Sequence, residues 1–291
     1  MLSYYPHSET DTILDTRKEK SVSKVEQIFD LKSNNNFRKP LVGGNWKCNP
    51  KTISDLNILV SQINNCNTSK CDVIVCPSNM HTGIIRDKFT NGVKIAPQNC
   101  NFTGTGPYTG EMAVEQMIDM QFEWVLLGHS ERRGAFDINH SESSKLLSMK
   151  LNYLLDKGMK CIFCIGEPLI IHKMGIDSVI DYCGKQLIPI LRNLNSDKIV
   201  IAYEPIWSIG TGNTPSSDQV QNTHAGIRNW LYKKLDDKNL CNNIRIIYGG
   251  SVNLKNAELF ASFPDVDGFL IGSASLKPEF NDIVDILSKI K

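Results

Sequence analysis

The feature that most constrains this chain is a strand–helix alternation repeated eight times. Short apolar runs rich in β-branched residues lie at 41–45, 72–76, 94–98, 124–129, 160–165, 199–204, 244–248 and 268–271. Each is followed by a stretch with helical spacing, as in Ser54-Asp55-Leu56-Asn57-Ile58-Leu59-Val60, or Val220, Ile227 and Leu231. Such alternation predicts a parallel sheet with helical crossovers. Strands that are apolar almost throughout predict burial on both faces. Eight units in roughly 250 residues favour a closed (β/α)₈ barrel over an open sheet. No Pro/Gly-rich linker divides residues 39–291, which therefore read as one domain.

Composition narrows the function. The 291 residues carry 32 basic and 31 acidic side chains, a net charge of +1. That balance gives no reason to expect nucleic acid or a membrane as partner. No run approaches the ~20 apolar residues of a membrane span. The nine cysteines are scattered, odd in number and mostly inside strand-like runs, as expected of free thiols. Cys161 and Cys164 form a C-x-x-C, but on a strand a spacing of three places their sulfurs on opposite faces. Residues 1–38 differ from the rest, with six acids, six bases and Asn34-Asn35-Asn36 before the first strand. They lack an apolar secretory core and hold more acids than a transit segment usually does. A solvated tail is the simpler reading, and organellar targeting the alternative.

In such barrels the chemistry sits at the carboxyl ends of the strands. The first strand ends Gly43-Gly44-Asn45-Trp46-Lys47, so period two sends Asn45 and Lys47 to one face, where a cation suits an anionic substrate. A sheet-edge cap is the other reading of Lys47. The fourth strand runs into His129, followed by a helix that Ser130 is placed to cap. A helix N-terminus disfavours imidazolium, so a neutral ring could donate to a carbonyl oxygen; a structural histidine is the alternative. The sixth strand ends Ala202-Tyr203-Glu204-Pro205. A carboxylate closing an apolar strand is costly unless paired or used, and Pro205 keeps Glu204 extended. Trp207 and Ile209, ahead of Gly210-Thr211-Gly212, suggest an apolar lid that raises the basicity of Glu204. The seventh and eighth strands run into Gly249-Gly250-Ser251 and Gly272-Ser273, the loops from which barrels often bind phosphate.

These stretches resemble the triosephosphate isomerase family. The resemblance spans residues 39–291 and rests on Gly44-Asn45-Trp46-Lys47-Cys48-Asn49, Leu127-Gly128-His129-Ser130-Glu131-Arg132-Arg133, Cys164-Ile165-Gly166-Glu167, Ala202-Tyr203-Glu204-Pro205-Ile206-Trp207, Tyr248-Gly249-Gly250-Ser251-Val252 and Asp265-Val266-Asp267-Gly268-Phe269-Leu270-Ile271-Gly272. It implies a TIM barrel that interconverts dihydroxyacetone phosphate and D-glyceraldehyde 3-phosphate in glycolysis and gluconeogenesis. Glu204 would be the base and neutral His129 the electrophile, a pairing for which this family is itself the standard illustration. Lys47, held by Glu131, would stabilise negative charge, and Asn45 would bind substrate. Gly210, Ser251, Gly272 and Ser273 would give amides to the phosphate, and Ile209 and Leu270 would press on Glu204. The resemblance implies no metal and no organic cofactor, and a cytoplasmic homodimer whose loop from Gln98 to Glu111 enters the neighbour, placing Cys48 in the interface.

Some positions depart from the family pattern. Ser273 stands for a second glycine, and Pro215 stands at the far hinge of the lid. Residues 137–141 lengthen a loop whose acid would be Glu142, and the stretch 168–173 lacks the usual acids. Two other readings are open to such a barrel. One is a barrel isomerase acting on a larger phosphorylated substrate, which the position of Trp207 directly after the base disfavours. The other is a non-catalytic scaffold, which predicts loss of Asn45, Lys47, His129 or Glu204, and all four are present.

Overall fold

The structure is a computed structural model that describes residues 38–134, 141–209 and 214–291. Eight parallel strands form one sheet: β1 (Leu41–Asn45), β2 (Asp72–Cys76), β3 (Lys94–Ile95), β4 (Trp124–Leu127), β5 (Lys160–Ile165), β6 (Ile199–Tyr203), β7 (Arg245–Tyr248) and β8 (Gly268–Ile271). The order β3-β2-β1-β8-β7-β6-β5-β4 runs once around the barrel. At the seam between β3 and β4 the Leu126 amide donates to the Pro97 carbonyl at 2.9 Å, a cross-link just beyond the short β3. The third strand is shorter than its apolar run of 94–98 because Pro97 has no N–H to pair.

The helices between the strands are α1 (Ile53–Ile63), α2 (Asn79–Thr82), α3 (Val114–Asp119), α4 (Ser144–Asp156), α5 (Leu169–His172), α6 (Ile176–Leu187), α7 (Ser217–Leu235), α8 (Lys238–Asn243), α9 (Ala257–Ala261) and α10 (Glu279–Ile290). Their starts follow from local chemistry. Thr52 caps α1 and Ser143 caps α4, each side chain accepting a hydrogen bond from a backbone N–H, and Ser216 with Gln219 makes a full capping box on α7.

Apolar side chains divide into two clusters. Leu41, Ile74, Ala96, Leu126, Ile162, Cys164, Val200, Ala202, Ile247 and Leu270 fill the barrel interior, while a larger shell joins the outer strand faces to the helices. Cys164 is in the inner cluster and Cys161 in the outer one, as period two requires. All nine cysteines are free thiols, eight of them buried, with Cys48 exposed. Among the described residues no helix is long and apolar enough to cross a membrane.

Candidate active site

Asn45 ends β1, and its side-chain oxygen accepts from the Lys47 amide at 3.0 Å. Lys47 has φ +54°, a left-handed conformation that costs a non-glycine residue energy and often marks a functional site. Period two therefore carries the chain only as far as Asn45, and the left-handed turn brings in Lys47. Gln98 holds this turn by donating to the Lys47 and Cys76 carbonyls at 2.9 and 2.8 Å. The Lys47 ammonium then reaches Glu131 at 2.5 Å.

His129 follows β4 and heads a single 3₁₀ turn, Ser130–Arg132. Ser130 was expected to cap this helix, but His129 does so: its Nδ1 accepts from the Glu131 amide at 3.2 Å. An acceptor Nδ1 puts the ring proton on Nε2 in the neutral tautomer. Nε2 points at Glu204 Oε1, 3.3 Å away. The Ser130 amide instead donates to Glu204 Oε2 at 3.0 Å. Glu142, just past the lengthened loop, is buried and pairs with Arg132 and Lys150, each at 2.7 Å, which anchors the turn after His129 to α4. Residues 135–140 of that loop lie outside the described residues.

Glu204, only 2% exposed, follows β6. Its amide continues the ladder to the Ile165 carbonyl at 2.7 Å, and Ile206 donates to the Glu167 carbonyl at 3.1 Å. Two glycines make room for it. A Cβ on Gly166, at the end of β5, would lie 1.8 Å from the Glu204 carbonyl oxygen, and one on Gly249, after β7, would lie 2.8 Å from Glu204 Cγ. Gly249 had been read only as part of a phosphate-loop turn. Its position at the same height as Gly166, on the strands flanking β6, is the signal that could have shown the slot.

Gly272 and Ser273 head the 3₁₀ turn Ser273–Leu276, with the Lys47 stem beside Gly272. Ser251 lies across from the Ser208 carbonyl and is held by Asn256, which donates to its carbonyl at 2.9 Å. Gly210, with Thr211, Gly212 and Asn213, lies outside the described residues. Ile209 is partly exposed, whereas Leu270 is buried in the barrel interior.

One further acid was missed as a site residue. Glu167 is fully buried, and its Oε1 accepts from Trp207 Nε1 at 2.7 Å and from the Tyr203 hydroxyl at 3.2 Å. Burial pushes its carboxyl up to about 7.

A carboxylate and an imidazole thus face one another at the mouth, with an ammonium on the same connected set of side chains. A family model described as triosephosphate isomerase matches residues 40–287. The chain belongs to the triosephosphate isomerase family. It is 41% identical over 253 residues to the triosephosphate isomerase of Taenia solium, covering 85% of this chain and 98% of that one. It is 38% identical to a cytosolic triosephosphate isomerase of Oryza sativa subsp. japonica, over 85% of this chain and 96% of the other. A chloroplastic triosephosphate isomerase of Secale cereale is also 38% identical, over 87% of this chain and 83% of its own length. The family match thus embraces the strand ends that carry Lys47, His129 and Glu204.

Proposed function

We propose that the chain is a triose-phosphate isomerase in which Glu204 moves the proton. Glu204 takes a proton from C1 of dihydroxyacetone phosphate and returns it at C2, giving D-glyceraldehyde 3-phosphate. In the enediol(ate) between them, His129 gives the Nε2 proton to one oxygen and recovers a proton from the other, so no proton is gained or lost overall. Lys47 and Asn45 face the developing negative charge. Amides at Ser251, Gly272 and Ser273, with Gly210, receive the phosphate. The observation that carries this reading is the 3.3 Å approach of His129 Nε2 to Glu204 Oε1 inside a 2%-exposed slot at the barrel mouth. A coupled assay started with glyceraldehyde 3-phosphate tests it. Glu204→Ala should lower kcat by several orders of magnitude in a folded protein, and retained turnover would remove Glu204 from the role.

The chain acts as a homodimer in this reading, through the loop from Gln98 to Glu111. Residues 105–111 are exposed without interruption, Tyr108 is 42% exposed, and Cys48 is exposed as well. Sedimentation should give twice the chain mass, and Tyr108→Glu should shift it toward the monomer. Residues 1–38 form an extension to a barrel domain of 39–291 in this reading, supported by a family match that begins at residue 40, with Arg38 at the junction bound to the barrel through Asp267. A cytoplasmic location suits the even mix of acids and bases in that extension, with an organelle as the alternative; sequencing the N-terminus of the native protein separates the two.

A further inference from the structure

Glu204 and Glu167 end adjacent strands, and the segments that follow them are joined three times. Glu204 donates its amide to Ile165, Ile206 donates to the Glu167 carbonyl, and the Trp207 indole donates to the Glu167 carboxylate. Only the third of these bonds depends on a titratable group. We propose that Glu167 is a positioning residue for the base: together with His172, stacked on the Trp207 ring, its protonation sets how firmly the segment carrying Glu204 is held to the end of β5. This rests on the assignment of Glu204 as base.

The geometry gives Glu167 an unbalanced environment. Oε1 accepts two bonds, while Oε2 is buried without a hydrogen-bond partner among the described residues. Among the described residues its only basic neighbour within ion-pair distance is His172, whose Nδ1 lies 3.8 Å from Oε1. That imidazole stacks on Trp207 with centroids 3.9 Å apart. A cavity of about 110 Å³ touches His172, Tyr203 and Trp207 together, giving water and protons an approach to the cluster.

The other titratable groups around Glu167 are silent near neutrality. Burial holds Cys183 on α6, Tyr203 on β6 and Tyr248 on β7 well above their ordinary values, so all three stay neutral. Arg133 acts on Cys183 but directs its own bonds to the Gly128 and Cys164 carbonyls. Burial lowers His172 from its ordinary value, leaving it mostly neutral at pH 7. Glu167 is thus the group whose charge changes near pH 7.

An ionised carboxylate accepts the indole N–H in a charge-assisted bond, roughly twice as strong as a neutral one. A protonated carboxyl keeps only the neutral bond. Substrate must come between His129 Nε2 and Glu204 Oε1, which now touch at 3.3 Å, so Glu204 has to shift on binding. Ionised Glu167 resists that shift, and the protonated acid yields to it.

The test follows the Trp207 indole N–H resonance of the full-length, isotope-labelled protein between pH 5.5 and 8.5, assigned with Trp207→Phe. It should titrate with a midpoint near 7. The titration should disappear in Glu167→Gln and persist in His172→Phe, which keeps a stacked ring but removes the imidazole nitrogens, so that the midpoint belongs to Glu167 and not to His172. In parallel, the KM of wild type divided by that of Glu167→Gln should climb from near one at pH 6 to about five at pH 8.5, with kcat little changed. Ionisation of the substrate cancels in that ratio. A resonance that stays flat, one that still titrates in Glu167→Gln, or a KM ratio constant with pH overturns the proposal. The titration does not use turnover, so its failure is distinct from that of the base assignment. Full activity in Glu204→Gln would condemn the latter while leaving the titration intact.

Discussion

At the amino end of the barrel, Asp267 accepts from Arg38 at 2.5 Å, from Arg228 at 2.8 Å and from the Ile246 amide at 2.7 Å. At the carboxyl end, Glu204 accepts one amide at 3.0 Å and faces one imidazole at 3.3 Å. Both acids are nearly inaccessible, at 3% and 2%. The first is neutralised by two fixed guanidiniums and saturated with donors. The second is bordered by glycines and keeps lone pairs unused. Arg228 shows how complete the amino-end network is, since it also binds Asp265 and the Cys241 and Ile244 carbonyls. The contrast teaches how to tell a buried acid that holds the fold from one kept for chemistry. The structural acid has its charge cancelled, whereas Glu204, the proposed base, keeps lone pairs open at the barrel mouth.

Removing the cancellation gives the largest expected effect. Arg228→Leu leaves Asp265 and Asp267 short of partners and should cost about 3–5 kcal/mol in denaturant unfolding. Turnover per folded molecule should hold, and a stability loss below about 1 kcal/mol would break the comparison.

The two ends should also respond to pH with opposite sign. Burial alone would raise Asp265, but Arg228 and Gln221 hold it below its usual value. Its contribution is present above the ordinary carboxylate range and is lost as pH falls through its folded value. Glu167 is raised instead, from 4.5 to about 7. The native state keeps that proton between these values, so this contribution is present below 4.5 and is lost as pH rises through 7. Glu167→Gln should therefore gain roughly 3 kcal/mol on wild type between pH 5 and pH 8.5. A stability difference that does not change with pH would contradict the sign.

The slot around the base is the next target. Gly249→Ala places a methyl against Glu204 Cγ. Small misplacements of a reacting group cost about 100-fold, so kcat/KM should fall by roughly that factor with the unfolding midpoint little moved. The smallest effect is expected from trimming residues 1–37: steady-state kinetics and thermal midpoint should be unchanged, and loss of folding would join the extension to the domain.

The fold was largely legible because it is a periodic signal. The bounds of β1, β2, β5 and β8 coincide with their apolar runs, and the rest lose residues at ends where proline or a loop interrupts pairing. The parts of the site read from sequence were residues whose type is anomalous in place. Glu204 ends an apolar strand, His129 follows another, and Lys47 lies beyond a third. What escaped depends on partners far along the chain. The Ser130 amide finds Glu204 across 74 positions, and the Trp207 indole finds Glu167 across 40. No local pattern distinguishes Gly166 or Gly249 from a turn glycine. Ser130 looked like the cap because serine favours that role, but the chain turns one residue earlier, on His129 itself.

The contrast between the two ends is tested most directly by a paired measurement. Glu204→Gln and Asp267→Ala are each assayed for kcat per folded molecule and for unfolding free energy. The account predicts a clean separation. Glu204→Gln should lose at least about 10³-fold in kcat, the scale on which a positioned acid–base group acts, with stability within about 1 kcal/mol of wild type. Asp267→Ala should lose about 3–5 kcal/mol of stability and keep its turnover. Equal losses of turnover in both variants, or a Glu204→Gln protein that turns over like wild type, would contradict it.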